Sequence, residues 1–167
     1  MTVIEFIKGD ITQCETDAVV NAANTSLLGG GGVDGAIHVA AGKDLLDECR
    51  ALKGCKVGEA KITKGYGLKA KYVIHTVGPV FRDGTCGEEE LLKKCYINSL
   101  HCALIHSIRT IAFPCISTGA YRFPKKQAAC IAYWSVKKWV KENKGIEKII
   151  FVCFSNEDEN YYSQLIS

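Results

Sequence analysis

Along the chain, short runs of β-branched and other apolar residues alternate with longer segments in which apolar residues recur every three or four positions. The first pattern predicts strands and the second predicts amphipathic helices. The predicted strands cover residues 3–7, 18–22, 59–64, 71–77, 110–113 and 147–154. The predicted helices cover residues 33–41, 43–53, 88–106, 125–143 and 156–165. This alternation predicts an α/β protein with a mostly parallel central sheet and helices on both faces.

The segments that follow the predicted strands carry most of the chemically distinctive residues. Gly9, Asp10 and Ile11 follow the first strand, a run of glycines follows the second, and residues 117–124 (STGAYRFP) follow the fifth. Phe154 ends the last strand. Since ligands bind at the carboxyl ends of strands in such sheets, these segments predict a single binding site.

Residues 29–32 (GGGG), here called the glycine loop, lie between the second strand and a helix. Glycine has no Cβ and accepts positive φ, so the N–H groups of such a loop can approach a ligand closely. The following helix directs free N–H groups and a positive partial charge to the same place, which favours a diphosphate. Asn21, Asn24 and Asp34 lie at the edges of this stretch. A mobile surface turn is the alternative, but the apolar flanking residues predict an anchored loop: Leu27, Leu28, Val33 and Ile37.

Composition narrows the class of protein. The chain has 167 residues, 47% hydrophobic and 23% charged, which fits one globular domain. A net charge of +3 is too small to indicate a nucleic-acid-binding surface, so we expect no direct contact with nucleic acid. No apolar run approaches the ~18 residues that cross a membrane, and the first residues lack the features of a secretory signal. We therefore expect a cytoplasmic protein without a membrane partner.

Nine cysteines raise the questions of disulfides and of a metal site. The number is odd, no CxxC pair occurs, and several cysteines lie in apolar runs: Cys95, Cys102, Cys115, Cys130 and Cys153. Buried, reduced thiols are the favoured interpretation. The cysteines and the four histidines show no paired ligand spacing, so we expect no metal.

The common nucleotide-binding and hydrolase motifs are absent or incomplete. Gly30, Gly32 and Gly35 formally match GxGxxG, but the preceding strand ends too early and no strand ends in an acid ~20 residues later. GxxxxGK[ST], GxSxG and HExxH do not occur.

A longer set of motifs resembles one family over essentially the whole chain. They are GDIT at residues 9–12, NAAN and GGGGVDGAIH within residues 21–38, HTVGP at residues 75–79, and STGAYRFP. The chain resembles macrodomains of the MacroD type. The resemblance implies a three-layer α/β/α sandwich with a mixed, mostly parallel sheet that binds ADP-ribose. It also implies hydrolysis of ADP-ribosyl esters on mono-ADP-ribosylated proteins and of O-acetyl-ADP-ribose, without a metal or cofactor.

The resemblance assigns the adenine end of the ligand to two segments. Asp10, followed by Ile11, matches the residue that accepts from the adenine amino group, and Phe154 matches the aromatic that stacks on the base. From the residues alone, the alternative for Asp10 is a turn or capping residue. Phe154 is equally a core residue at the end of a strand.

The phosphates and the distal ribose are assigned to the two loops and to their flanking side chains. The matching loop residues are Gly31, Gly32, Val33, Ser117, Thr118, Gly119, Ala120 and Tyr121. Asn24 matches the amide that holds the distal ribose hydroxyls, with Asn21 supporting the loop. Phe123 matches an aromatic that packs against the distal ribose.

Asp34 matches the catalytic aspartate of the family, with Asn24 as its partner. A carboxylate there can orient or deprotonate a water near the distal ribose, and the ligand's own phosphate can assist. The alternative is that Asp34 caps a helix beginning at Gly35, and both roles can hold together. His38, one turn later, is either an acid or base or a packing residue.

Arg122 departs from the family pattern, which usually has glycine at that position. An arginine there can contact the diphosphate, point to solvent, or slow closure of the loop. This departure leaves open a second function, a module that binds ADP-ribose without hydrolysing it. A third, regulation of a double-strand-specific ribonuclease, comes from bacterial proteins that the chain resembles.

Overall fold

The computed structural model describes residues 1–166, and the predicted strands and helices are present with ends within one residue of the predictions. The strands are β1 (Val3–Lys8), β2 (Ala18–Ala23), β3 (Ala60–Lys64), β4 (Tyr72–Val77), β5 (Thr110–Phe113) and β6 (Lys148–Cys153). The helices are α1 (Gly32–Ala41), α2 (Lys43–Leu52), α3 (Glu88–Ile105), α4 (Lys125–Glu142) and α5 (Asn156–Leu165), and a 3₁₀ turn covers Ile11–Gln13. Over residues 1–166, no helix combines the length and the apolar character that crossing a membrane requires.

The strands form one sheet in the order β1-β6-β5-β2-β4-β3. Neighbouring strands are parallel except at the edge, where β3 pairs antiparallel with β4. Residues 65–71 alone connect β3 to β4, and a parallel crossover needs about twelve residues or more. The sheet is therefore mixed and mostly parallel, as predicted.

Alternate residues of each strand enter two separate hydrophobic cores, one on each face of the sheet. One core packs the sheet against α3, α4 and α5, for example through Tyr96, Trp139 and Tyr162. The other core packs it against α1 and α2, for example through Ile37 and Leu45. Helices thus cover both faces, which confirms the three-layer α/β/α sandwich.

The cysteines are free thiols, and only some of them are buried. The buried thiols are those of Cys14, Cys49, Cys55, Cys95 and Cys153. Removal from water raises the pKa of Cys49 and of Cys95 to about 11, so both stay protonated at neutral pH. The expectation of burial is wrong for three cysteines that are partly exposed: Cys102, Cys115 and Cys130.

Candidate functional site

The carboxyl ends of β1, β2, β5 and β6 lie at one edge of the sheet, because these four strands run parallel. The turn at Asp10 follows β1, and the glycine loop follows β2. The loop of residues 117–124 (the second loop) follows β5, and Phe154 follows β6. The four segments that the sequence singled out therefore share one edge. This edge is the candidate site.

The glycine loop is held against the first turn of α1. Gly29 and Gly32 have φ of +91° and +57°, which L side chains rarely adopt. Gly31 is the N-cap and provides no side-chain cap, so the first N–H groups of α1 remain available at the loop. A Cβ on Gly35 would overlap the carbonyl oxygen of Gly30, so loop backbone and helix backbone are in close contact there. The loop is thus an anchored structure and not a mobile turn.

Asn24 uses its side chain to shape the turn before the glycine loop. Its Nδ2 donates to the carbonyl oxygen of Gly29 at 2.9 Å. Its Oδ1 accepts from the Leu27 N–H at 3.1 Å and from the Ser26 hydroxyl at 2.7 Å. One N–H of the amide remains for a ligand. The predicted contact with the distal ribose therefore depends on that single N–H.

Asp34 lies in the first turn of α1 and is buried, with 5% exposure. The helix begins at Gly32 and Gly31 is its N-cap, so the alternative that Asp34 caps a helix starting at Gly35 is wrong. Its Oδ1 accepts from Asn21 Nδ2 at 2.9 Å. Its Oδ2 lies against the glycine loop, since a Cβ on Gly30 would stand 3.1 Å from it. One carboxylate oxygen is held in place, and the other faces the glycine loop.

His38 lies one helical turn after Asp34, with its Nε2 3.5 Å from Asp34 Oδ1. This Nε2 is buried and has no hydrogen-bond partner within residues 1–166. The distance is longer than a hydrogen bond, so the two groups interact through charge when the imidazole is protonated. His38 therefore lies beside the carboxylate, with its Nε2 buried.

At the carboxyl end of β1, Asp10 both caps a turn and keeps an oxygen available. Its Oδ1 accepts from the Thr12 N–H at 2.9 Å and from the Thr12 hydroxyl at 2.7 Å. These two hydrogen bonds lower the pKa of Asp10, so the carboxylate is ionised at neutral pH. Phe154 is 86% exposed, which excludes the interpretation as a core residue. An exposed ring is available for stacking.

The second loop is held by hydrogen bonds within it and by a contact with the end of β4. Phe123 N–H donates to the Ser117 carbonyl, and Arg122 N–H donates to the Gly119 carbonyl, both at 2.9 Å. A Cβ on Gly78 would overlap Ser117 Oγ, so the end of β4 supports this loop directly. The HTVGP motif gave no role from sequence. Its glycine is needed for this close approach.

The structure corrects the prediction for Phe123. Its side chain is 1% exposed and belongs to the core beneath α3 and α4, with its ring centroid 4.9 Å from that of Phe81. Burial of the apolar ring in this core is more favourable in free energy than its exposure at the polar candidate site. No free face is left for a ribose in this conformation. Tyr121, by contrast, is only partly buried in the same loop.

Arg122 is exposed and adopts φ of +60°, the left-handed region that favours glycine. This backbone conformation explains why glycine suits the position. We expect Arg122→Gly to stabilise the folded backbone locally by about 1 kcal/mol, partly offset by the greater entropy of the unfolded chain. Chemical denaturation should show a free energy of unfolding equal to or slightly above that of the wild type. A loss of more than about 1 kcal/mol would show that the arginine side chain makes a stabilising contact.

Within residues 1–166, one group of potential metal ligands is close together: Asp83, Cys86 and Glu88, whose ligand atoms lie within 4.8 Å of one another. Glu88 accepts backbone N–H bonds from the loop before α3, which lower its pKa to about 2. The carboxylate thus organises that loop. The group is not part of the four segments at the candidate site.

Comparison with known proteins agrees with this geometry. A family model described as the macro domain matches residues 20–132. A macro domain-containing protein of Chlorobaculum tepidum is 60% identical over 98% of this chain and 95% of its own length. The ADP-ribose glycohydrolase MACROD2 of Xenopus laevis is 55% identical over 98% of this chain, which spans 40% of that protein.

Among solved structures, the Trypanosoma brucei macrodomain in complex with ADP-ribose superposes with a TM-score of 0.92 at 43% identity. The match covers 98% of this chain and 69% of the trypanosomal one. The family model and the first relative both extend across the glycine loop and the second loop. This chain belongs to the macro domain family.

Proposed function

We propose that this chain binds ADP-ribose and hydrolyses ADP-ribosyl esters. The observation that carries the proposal is the position of Asp34: its Oδ2 faces the glycine loop at the N-terminus of α1, while Oδ1 is held by Asn21. The name of the Xenopus laevis relative and the ligand of the trypanosomal structure support the same activity. The substrates would be mono-ADP-ribosylated acidic side chains and O-acetyl-ADP-ribose.

In this proposal, the diphosphate binds between the two loops. The free N–H groups of residues 31–33 and of Ser117 and residues 119–121 would donate to its oxygens, aided by the dipole of α1; the Thr118 N–H already donates to the Cys115 carbonyl. Adenine would lie at the other end, between the Asp10 carboxylate and the exposed Phe154 ring. The distal ribose would then reach Asn24 and Asp34. This order follows the order of the strand ends along the sheet edge.

The chemistry proposed for Asp34 is the activation of a water molecule. Oδ2 would orient or deprotonate the water, and the Asp34 carboxylate or the ligand's phosphate would take the proton. Attack of the water oxygen on the anomeric carbon would break the bond to the ester oxygen and release a carboxylate, whereas attack on the ester carbonyl carbon would break the acyl C–O bond and release the ribose oxygen, which takes up a proton. A buried carboxylate acts in a region of low dielectric, where its charge interacts strongly with the reacting atoms. A single carboxylate base is suited to ester linkages, because a carboxylate is a good leaving group from the anomeric carbon.

One panel of substrates tests the proposal. The wild-type protein is incubated with glutamate-linked, serine-linked and arginine-linked ADP-ribose and with O-acetyl-ADP-ribose, and released ADP-ribose is quantified. We expect release from the ester and from O-acetyl-ADP-ribose only. Efficient cleavage of the arginine linkage, or no release from either ester, would contradict the proposed activity.

Phe154 supplies the test of the binding mode. Stacking of a base on an aromatic ring contributes about 1–3 kcal/mol, so Phe154→Ala should weaken ADP-ribose binding by about 5-fold to 150-fold. Calorimetry of both proteins measures this change. Trp134→Ala is the matched control, since Trp134 is an exposed aromatic on α4. Equal affinities in wild type and Phe154→Ala would remove the ring from the site.

Arg122 is the observation that favours a second function, that of a module that binds ADP-ribose without hydrolysis. An arginine in the left-handed region of the second loop replaces the most flexible residue with a long charged one. If the loop cannot close, binding remains and turnover is lost. Tight binding in calorimetry together with no release from any substrate over hours would select this function.

A further inference from the structure

Three polar side chains lie in the otherwise apolar layer between the sheet and α1 and α2. Asn21 on β2 and His75 on β4 are direct partners in the parallel register. Thr63 lies on the neighbouring β3, two residues from the partner of His75, and so on the same face. Their neighbours on this face are apolar, such as Val73 and Val77. Burial of polar groups is costly unless they are hydrogen-bonded, so their arrangement needs an explanation.

These side chains form a continuous hydrogen-bonded chain that ends at Asp34. Thr63 Oγ1 lies 2.9 Å from His75 Nε2, and His75 Nδ1 lies 3.2 Å from Asn21 Nδ2. The same Asn21 Nδ2 donates to Asp34 Oδ1 at 2.9 Å. Asn21 and His75 are fully buried, and Thr63 is 2% exposed. This chain of hydrogen-bonded side chains therefore has no access to water along its length.

The direction of the bonds is fixed at the Asp34 end, because the carboxylate can only accept and so turns the NH₂ group of Asn21 toward Nδ1 of His75. Nδ1 must then carry a lone pair, which places the imidazole proton on Nε2, and the proton of the Thr63 hydroxyl turns to the Lys64 carbonyl oxygen 3.1 Å away. A lone pair of that hydroxyl is then left to accept from Nε2–H of His75. A neutral imidazole protonated on Nε2 presents a lone pair on Nδ1, which accepts from Asn21.

His75 is held in the neutral form that this chain of hydrogen bonds requires. Burial away from water lowers the pKa of His75 to about 3, with a further contribution from the charge of His38. Both N–H bonds of the Asn21 amide are then used, one on His75 and one on Asp34. This orientation leaves Asn21 Oδ1 buried without a hydrogen-bond partner within residues 1–166, but the opposite orientation would place that oxygen against the Asp34 carboxylate, which is repulsive. Asn21 therefore has one orientation.

We propose that His75 is a positioning residue for the site: through Asn21 it fixes Oδ1 of Asp34 and so leaves Oδ2 directed at the reacting water. Thr63 acts one step further back by accepting from Nε2–H and so stabilising this tautomer of His75. The inference rests on the hydrolysis proposed above. Neither His75 nor Thr63 contacts the glycine loop or the second loop in any hydrogen bond within residues 1–166. Their effect on catalysis is therefore indirect.

Two pairs of variants test the inference. His75→Leu removes both hydrogen bonds, whereas the amide of His75→Gln can accept from Asn21 and donate to Thr63. We expect His75→Leu to lower kcat about tenfold, as for the loss of one buried hydrogen bond, with the Kd for ADP-ribose changed less than about threefold. His75→Gln should recover most of kcat. Thr63→Val and Thr63→Ser form the second pair, of similar volume, and only Thr63→Val should reduce kcat.

Controls separate positioning from general loss of stability. Val73→Ala opens a cavity in the same strand and layer but removes none of the hydrogen bonds from Thr63 to Asp34. At a free energy of unfolding similar to that of His75→Leu, it should keep the wild-type kcat. Histidine ¹⁵N spectra of the wild-type protein should show the neutral Nε2–H tautomer for His75 between pH 5 and 8 (about the range in which a free histidine titrates). That measurement needs no activity.

The outcomes are distinct. An Nδ1–H tautomer, or kcat of His75→Leu and Thr63→Val equal to that of the wild type, would overturn the positioning role while the hydrolase assignment stands. Equal losses in Val73→Ala would do the same. A wild type that binds ADP-ribose but releases nothing from esters would instead overturn the proposed function, and the tautomer would still report on the chain. If His75→Leu does not fold, Thr63→Val decides.

Discussion

Asp34→Asn should lower kcat for glutamate-linked ADP-ribose by about 10²- to 10⁴-fold, the usual contribution of a general base. The side chain keeps its volume in a site that is 5% exposed, so packing is preserved. Loss of the carboxylate charge removes repulsion toward the bound diphosphate, so ADP-ribose should bind with equal or higher affinity. Single-turnover release assays and calorimetry measure the two quantities separately. Full turnover in this variant would exclude proton transfer to Asp34, and full turnover in Asp34→Ala as well would remove Asp34 from the mechanism.

A comparison of Asp34→Asn with Asp34→Ala identifies where the proton goes. An asparagine can still orient a water through its side-chain oxygen but cannot take a proton at neutral pH. If the ligand's phosphate is the base, Asp34→Asn should retain much more activity than Asp34→Ala. If Asp34 is the base, both should be equally inactive. Asp44→Asn is the matched control, since Asp44 is the exposed acid in the first turn of the adjacent helix α2.

The fold was predictable because each element carries a strong local signal. Gly9, Gly54 and the Gly78-Pro79 pair end their elements clearly, and the ends of the predicted elements are accurate within one residue. The antiparallel pairing of β3 was not visible in the hydrophobic pattern. It follows from the short connection of residues 65–71, which excludes a crossover. The convergence of the strand ends then places the loops together at one edge.

The candidate site was predictable only as a set of segments. The family resemblance assigned Asn24 and Phe123 to the distal ribose. Asn24 also shapes its own turn and keeps one N–H for a ligand, whereas Phe123 is buried against Phe81. Which face a loop side chain takes depends on tertiary packing, which has no period in the sequence. The same holds for His75, which reads as an ordinary strand residue until its register with Asn21 is known.

We expect Gly35, which is not one of the four consecutive glycines, to be the glycine on which the conformation of the glycine loop depends most. It lies inside α1, where alanine would normally stabilise a helix by about 1 kcal/mol. A Cβ there would instead overlap the Gly30 carbonyl oxygen, and no flexible side chain can move to relieve the overlap. We expect Gly35→Ala to displace the glycine loop and to weaken ADP-ribose binding at least about one hundredfold, since the N–H groups for the diphosphate lose their alignment.

The sign of the stability change makes this prediction sharp. Overpacking against backbone should lower the free energy of unfolding of Gly35→Ala by about 1–3 kcal/mol, opposite to the effect of helix propensity alone. The control is Ala36→Gly, an exposed position next to it, which weakens α1 by about 1 kcal/mol without reaching the loop. Because α1 is destabilised in both variants, only displacement of the loop distinguishes them. If Gly35→Ala were more stable than the wild type and bound ADP-ribose equally well, the glycine loop would not need its contact with α1, and the site would have to be formed differently.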